Sequence, residues 1–156
     1  MQRVLAAAVA FGIAVAGQAQ AQTAADSAGI RGAALDYIEG WYAGDAARME
    51  RAVHPELAKR IVVVNPQAGE SMLRTMTAEE LVGATDAGYG ARTPLDVRRT
   101  DVRILDIYEN VASVRVDAHD WIDYLHIARW NDRWVIVNVL WELTPEAKRR
   151  MTAGGG

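Results

Sequence analysis

At 156 residues, with a formal charge of −3 and no cysteine, the chain has the length for one domain around one hydrophobic core. The lack of thiols excludes disulfide scaffolds, cysteine nucleophiles, iron–sulfur clusters and cysteine-ligated zinc. A mildly acidic balance gives no electrostatic reason to bind nucleic acid or an anionic membrane.

Met1-Gln2-Arg3 makes a short positive start, and Val4 to Gly17 is an unbroken run of apolar and small residues. Ala19-Gln20-Ala21 follows with the small-x-small pattern of a signal-peptidase site. The run is shorter than the roughly 20 residues a spanning helix needs. Residues 1–21 are therefore read as a cleavable signal peptide. The mature chain is expected in the periplasm or outside the cell, with no membrane contact after cleavage. Removing Arg3 with the leader lowers the basic count from 17 to 16, against 20 acidic side chains. Residues 22–28 are expected to form a flexible lead-in, 29–145 the domain, and 146–156 a C-terminal tail.

From an N-cap at Asp26 or Ser27, Ile30, Ala34, Tyr37, Ile38 and Trp41 recur at spacings of three and four, which predicts an amphipathic helix. Gly44 stops it, and Asp45 caps a short second helix carrying Met49 and Val53. His54-Pro55 is expected to close that helix, because the residue before a proline is driven out of helical geometry. Ile61 to Val64 reads as a strand, residues 65–69 as a turn, and Ser71 to Met76 as its partner strand. Thr77-Ala78-Glu79-Glu80 is a capping box that opens a third helix through Leu81 and Val82. Gly88 to Pro94 is a loop in the position of a lid. Four strands follow, near residues 101–108, 111–116, 121–130 and 134–143, joined by short polar turns that fit an antiparallel meander. Helices first and a meander last predict an α+β domain with helices on one sheet face.

Thr77 to Val82, Ile104 to Val114, Asp123-Tyr124-Leu125-His126 and Trp134 to Glu142 resemble the putative lumazine-binding family. That family belongs to the nuclear-transport-factor-two-like superfamily, beside ketosteroid isomerases and polyketide cyclases. The resemblance covers nearly all of residues 30–143, and the closing hairpin is its most specific part. It implies a cone-shaped fold, three helices from the N-terminal half packed on a curved, mainly antiparallel sheet around a pocket, commonly in a dimer.

Alternation along the closing hairpin sets the candidate site. If Trp130 pairs with Trp134 across a three-residue turn, residues 121, 123, 125, 127 and 129 share a face with 135, 137, 139, 141 and 143. That face is almost wholly apolar and is assigned to the pocket, with Asp123 its one acid, opposite Trp141. A carboxylate among apolar neighbours has its charged form disfavoured and can act as general base or acid, so Asp123 is the candidate catalytic residue. The alternative is that Asp123 accepts hydrogen bonds from a helix N-terminus or from a tyrosine or tryptophan. Trp41, Tyr42, Trp121 and Trp141 are candidate ligand-stacking residues, and His54 a candidate pocket wall. The opposite face, with Tyr124, His126 and Asn138, is too apolar for open water and is expected to form a homodimer interface, His126 bonded to Asn138. His119, in a polar turn, is read as solvated. Its parity separates His126 from Asp123, so no metal site is expected. No phosphate loop, dinucleotide fingerprint or nucleophile elbow occurs, so no cofactor is expected.

Three functions remain open on these residues. The first is an exported domain holding a small, largely apolar ligand. The second is an isomerase, cyclase or dehydratase using Asp123 as base, and the third a structural or interaction dimer. One scaffold can host all three.

Overall fold

The computed structural model describes residues 13–65 and 67–153. The positive start and the beginning of the apolar run, Pro66 in the expected turn, and the three terminal glycines lie outside the described residues. Among the described residues no helix is long and apolar enough to cross a membrane.

Helix α1 (Ile13–Ala43) buries Ile30, Ala34, Tyr37 and Ile38, the face expected from their spacing. It starts earlier than expected. The segment over 22–28, expected to be flexible, is helical. Alanine is the strongest helix former and recurs there, and the carboxylate of Asp26 pairs with Arg129 of the sheet. Gly44, at a φ of 69°, ends α1, and Asp45 caps α2 (Ala46–Ala52) by accepting a hydrogen bond from the Arg48 amide at 2.9 Å.

Strand β1 (Val53–Val64) begins directly after α2, so His54-Pro55 lies in a strand and does not close the helix. Its parallel pairing with β6 (Arg133–Leu143) is irregular between Val53 and Ala58. Pro55, with no amide hydrogen to donate, falls in that irregular stretch. Beyond it Leu57, Lys59 and Ile61 alternate inward, all buried. Strand β2 (Ser71–Thr77) returns antiparallel to β1. In the expected capping box of α3 (Ala78–Asp86) the Glu80 amide donates to Thr77 Oγ1 at 3.2 Å and the Thr77 amide to Glu80 Oε2 at 2.7 Å.

Strands β3 (Asp101–Tyr108), β4 (Val111–Asp117), β5 (Trp121–Trp130) and β6 form the expected antiparallel meander. With β1 and β2 they complete a six-stranded sheet of order β2-β1-β6-β5-β4-β3. Helix α1 crosses one face, and its apolar side meets Val114, Val116, Leu125, Ile127, Ile136 and Val139 in the core. The expected C-terminal tail is helical over α4 (Pro145–Ala153). Thr144 caps it, Pro145 occupies its first turn and Ala147 is buried.

The closing hairpin differs from the expected register in two ways. Its turn has two residues, Asn131 and Asp132, both at positive φ, and Trp130 pairs with Arg133. A bulge then shifts the register between the pairs His126–Asn138 and Ile127–Ile136, leaving Val137 as the extra residue. Trp134 and Ile136, assigned outward by alternation, therefore join the core, and Val135 and Val137 leave the pocket face. Beyond the bulge the expected pairing is restored, with Asp123 opposite Trp141.

Candidate functional site

Six elements of the fold converge on one small cavity of about 180 Å³. Its walls are Tyr37 and Trp41 from α1, Met76 from β2, Leu81 from α3, Trp121 from β5 and Trp141 from β6, with the side chain of Lys59 from β1. Apolar side chains make up nearly all of this wall. Trp41 and Trp121 meet edge to face, with ring centroids 6.3 Å apart.

Asp123 lies behind that wall, wholly buried. Its Oδ1 accepts from Lys59 Nζ at 2.8 Å, and its Oδ2 from Tyr37 Oη at 3.2 Å and Trp121 Nε1 at 2.6 Å. Lys59 Nζ also stands 2.6 Å from Tyr37 Oη. The ammonium lies 5.0 Å from the Trp141 ring centroid and 5.3 Å from that of Tyr37, a cation–π position against each. Burial pushes the Lys59 ammonium below its ordinary pKa, against the opposing pull of the Asp123 charge. Burial, then the Asp123 charge and hydrogen bond, hold the Tyr37 phenol well above its own.

Asp123 thus faces inward as alternation predicted, but its surroundings are ionic. Both oxygens are occupied, two of the donors being the tyrosine and tryptophan of the alternative reading. Lys59 and Tyr37 were missed as site residues. The signal for Lys59 was present in Leu57-x-Lys59-x-Ile61, an alternation that extends the strand back past its β-branched run. Tyr37 sits on the predicted helix face, but sequence spacing does not tell a packing tyrosine from one that donates to an acid.

The other candidates separate. Trp41, Trp121 and Trp141 line the cavity. Tyr42 is buried beside it, with its ring 6.2 Å from Trp121 and its hydroxyl accepting from the His119 amide at 3.0 Å. His54 is remote, packed edge-on against Trp130 at 4.7 Å with its Nδ1 accepting from the Glu56 amide. His119 is partly buried beside Asp120. Among the described residues no group of three histidine, aspartate or glutamate side chains could hold a metal ion. On the outer face Tyr124 is exposed, and His126 and Asn138 lie within 3.3 Å of each other, as expected. Arg60 adds a 2.8 Å bond to Asn138 Oδ1.

The loop after α3 packs against the site at Gly90, and its Arg98 lies over the Tyr42 ring. Gly90 begins a short 3-10 turn (Gly90–Arg92), and a Cβ placed on it would lie 2.2 Å from the Trp41 carbonyl oxygen and 2.6 Å from its Nε1. Only glycine allows this approach. Arg98 fixes the loop by donating to the carbonyls of Thr93 and Ala91.

The fold has close counterparts of known structure. An NTF2-like protein with a cystatin-like fold from Novosphingobium aromaticivorans superposes with a TM-score of 0.63 at 12% identity, over 90% of this chain and 97% of that one. NTF2-like proteins of unknown function from Silicibacter pomeroyi and Shewanella baltica superpose with TM-scores of 0.62 and 0.60 at 16% and 18% identity. Each covers 78% of this chain, and 98% and 96% of their own. At these identities the likeness concerns the fold alone. No curated protein matches the chain. The sequence pattern of one family fits residues 25–142, from the anchored part of α1 to the end of the closing hairpin, and by that match the chain belongs to the putative lumazine-binding family.

Proposed function

We propose that this chain is an exported small-molecule-binding domain that encloses a flat, largely apolar ligand between Trp41, Trp121 and Trp141. The observation that carries this reading is an aromatic-walled cavity whose buried acid is already neutralised by an adjacent cation. Its volume corresponds to about six waters' share of liquid, enough for a one- or two-ring compound. The family name agrees with a small ligand of this kind. The leader-like start supports export.

The geometry favours binding over proton abstraction by Asp123. A general base needs a free lone pair within reach of the substrate, and this carboxylate is held by three donors behind the wall. Asp123 is best read as the residue that positions Lys59 and Tyr37.

A homodimer through the outer sheet face belongs to the same proposal. Tyr124, Trp130 and Leu140 are each about half exposed there, beside the His126–Asn138 pair.

Native mass spectrometry of protein purified from its own exporting host, with thermal shift against one- and two-ring heteroaromatics, tests the binding reading. A retained small molecule, or a stabilising compound whose effect is lost in Trp141→Ala, is the expected result. A protein that carries nothing and responds to no compound overturns it.

A further inference from the structure

The chain holds 15 arginines and only two lysines, Lys59 and Lys148. Lys148 is exposed on α4, paired with Glu142. The other lysine is the buried cation in the cavity wall. Guanidinium stays charged and is a poor nucleophile, whereas a buried amine can lose its proton and attack carbon.

The surroundings of Nζ provide what a carbonyl-capturing amine needs. Asp123 Oδ1 at 2.8 Å can take the proton from the ammonium. Tyr37 Oη, which accepts from Nζ at 2.6 Å and donates to Asp123, can relay a proton from the nitrogen to an oxygen formed beside it by turning its own hydrogen away from Asp123. The rings of Tyr37 and Trp141 flank Nζ and, with the Lys59 side chain, belong to the cavity wall, so the amine lies immediately behind the surface a stacked ligand would touch. Asp123 and Tyr37 occupy two of the three ammonium hydrogens. We propose that Lys59 captures a neutral aromatic aldehyde or ketone in this cavity as a protonated imine. The proposal rests on the cavity being the ligand site.

The step balances without a co-reactant. Asp123 accepts one proton from the ammonium, the freed nitrogen bonds to the carbonyl carbon, and the carbonyl oxygen is protonated from Tyr37, which recovers its proton from the nitrogen. The resulting carbinolamine loses its hydroxyl as water, using the proton held by Asp123. The ammonium and carbonyl thereby become a protonated imine and water. The positive charge remains on nitrogen and its pairing with Asp123 survives.

The full-length mature protein would be incubated with benzaldehyde and sodium cyanoborohydride, which reduces imines to stable benzylamines. Peptide mapping then compares Lys59 with Lys148 and the amino terminus, and the same reaction in urea gives the preference of the unfolded chain. Lys59 is expected to be benzylated about tenfold faster than Lys148 in the folded protein, as proximity in a binding site provides, with the preference gone in urea. Labelling of Lys148 and the amino terminus without Lys59 overturns the proposal. Benzaldehyde quenching of tryptophan fluorescence, measured without reductant and lost in Trp141→Ala, separates the two levels. Quenching without a Lys59 adduct refutes imine formation and leaves the binding function standing. Absence of both refutes imine formation and counts against an aromatic ligand as well.

Discussion

Lys59 reaches Asp123 across an intervening strand. In the sheet order β1-β6-β5 the lysine stands on the first strand and the aspartate on the third, and the indole of Trp141, on the strand between, lies 5.0 Å from the ammonium. The ion pair therefore ties three strands together at the wall of the cavity.

Breaking one half of that pair leaves a buried charge without a partner. Asp123→Asn keeps the shape but strands the Lys59 ammonium, and should cost about 3–5 kcal/mol in urea unfolding. The double variant Lys59→Met with Asp123→Leu should recover most of that loss. A double variant as unstable as the single one would mean that packing, not charge, is responsible.

Trp121→Phe removes a single donor from Asp123 Oδ2 and preserves most of the ring. Tyr37 still serves that oxygen, so the expected loss of stability is about 1–2 kcal/mol, the range for a hydrogen bond to a charged group. Chemical denaturation measures it.

Gly90→Ala drives a methyl group into the Trp41 carbonyl and indole edge. Overpacking of this kind costs about 1–3 kcal/mol. The displaced indole should also change the emission spectrum of the folded protein and weaken any compound that binds in the cavity.

Alkaline pH should weaken the fold through Tyr37. Its phenol keeps its proton in the folded state well above the ordinary value of 10.0, and unfolding releases it to that value. Above about pH 10 the unfolded chain binds fewer protons than the folded one, so stability present below that pH falls as pH rises. Unfolding followed from pH 9 to 11 should show a smaller decline in Tyr37→Phe than in the parent.

Charge placed on the outer sheet face tests the dimer. Leu140→Glu with Tyr124→Glu leaves the cavity untouched and puts two acids on an exposed apolar surface. Sedimentation should show a dimer for the parent and a monomer for the variant, with binding in the cavity retained.

Most of the fold was legible because its signals are local. The spacing along α1, the Thr77–Glu80 capping box and the short polar turns of the meander each specify an element without help from distant residues. The inward placement of Asp123 was right for a less direct reason. The turn has one residue fewer than expected and the bulge adds one back, so the two departures cancel beyond Val137 and the parity of Asp123, Val139 and Trp141 survives. Between turn and bulge nothing cancels, and Trp134 and Ile136 were placed on the wrong face. A bulge depends on how a strand bends over its neighbours, which alternation does not encode. The partnership of Lys59, Tyr37 and Asp123 was hidden for a related reason. It joins residues 22, 64 and 86 positions apart, and only the order of strands brings them together.

The clasp between Asp26 and Arg129 bears on maturation. In the exported form proposed above, cutting after Ala21 falls within the helical span of α1 and leaves Gln22 to Ala25 ahead of the clasp. Trimming would shorten the helix without releasing it, since the turn that follows those four residues is already fastened to the sheet. A peptidase that reached five residues further would cut that fastening away. The new amino terminus would then begin at the clefted surface beside Trp134, and fraying there would spread toward Ile30 and the core.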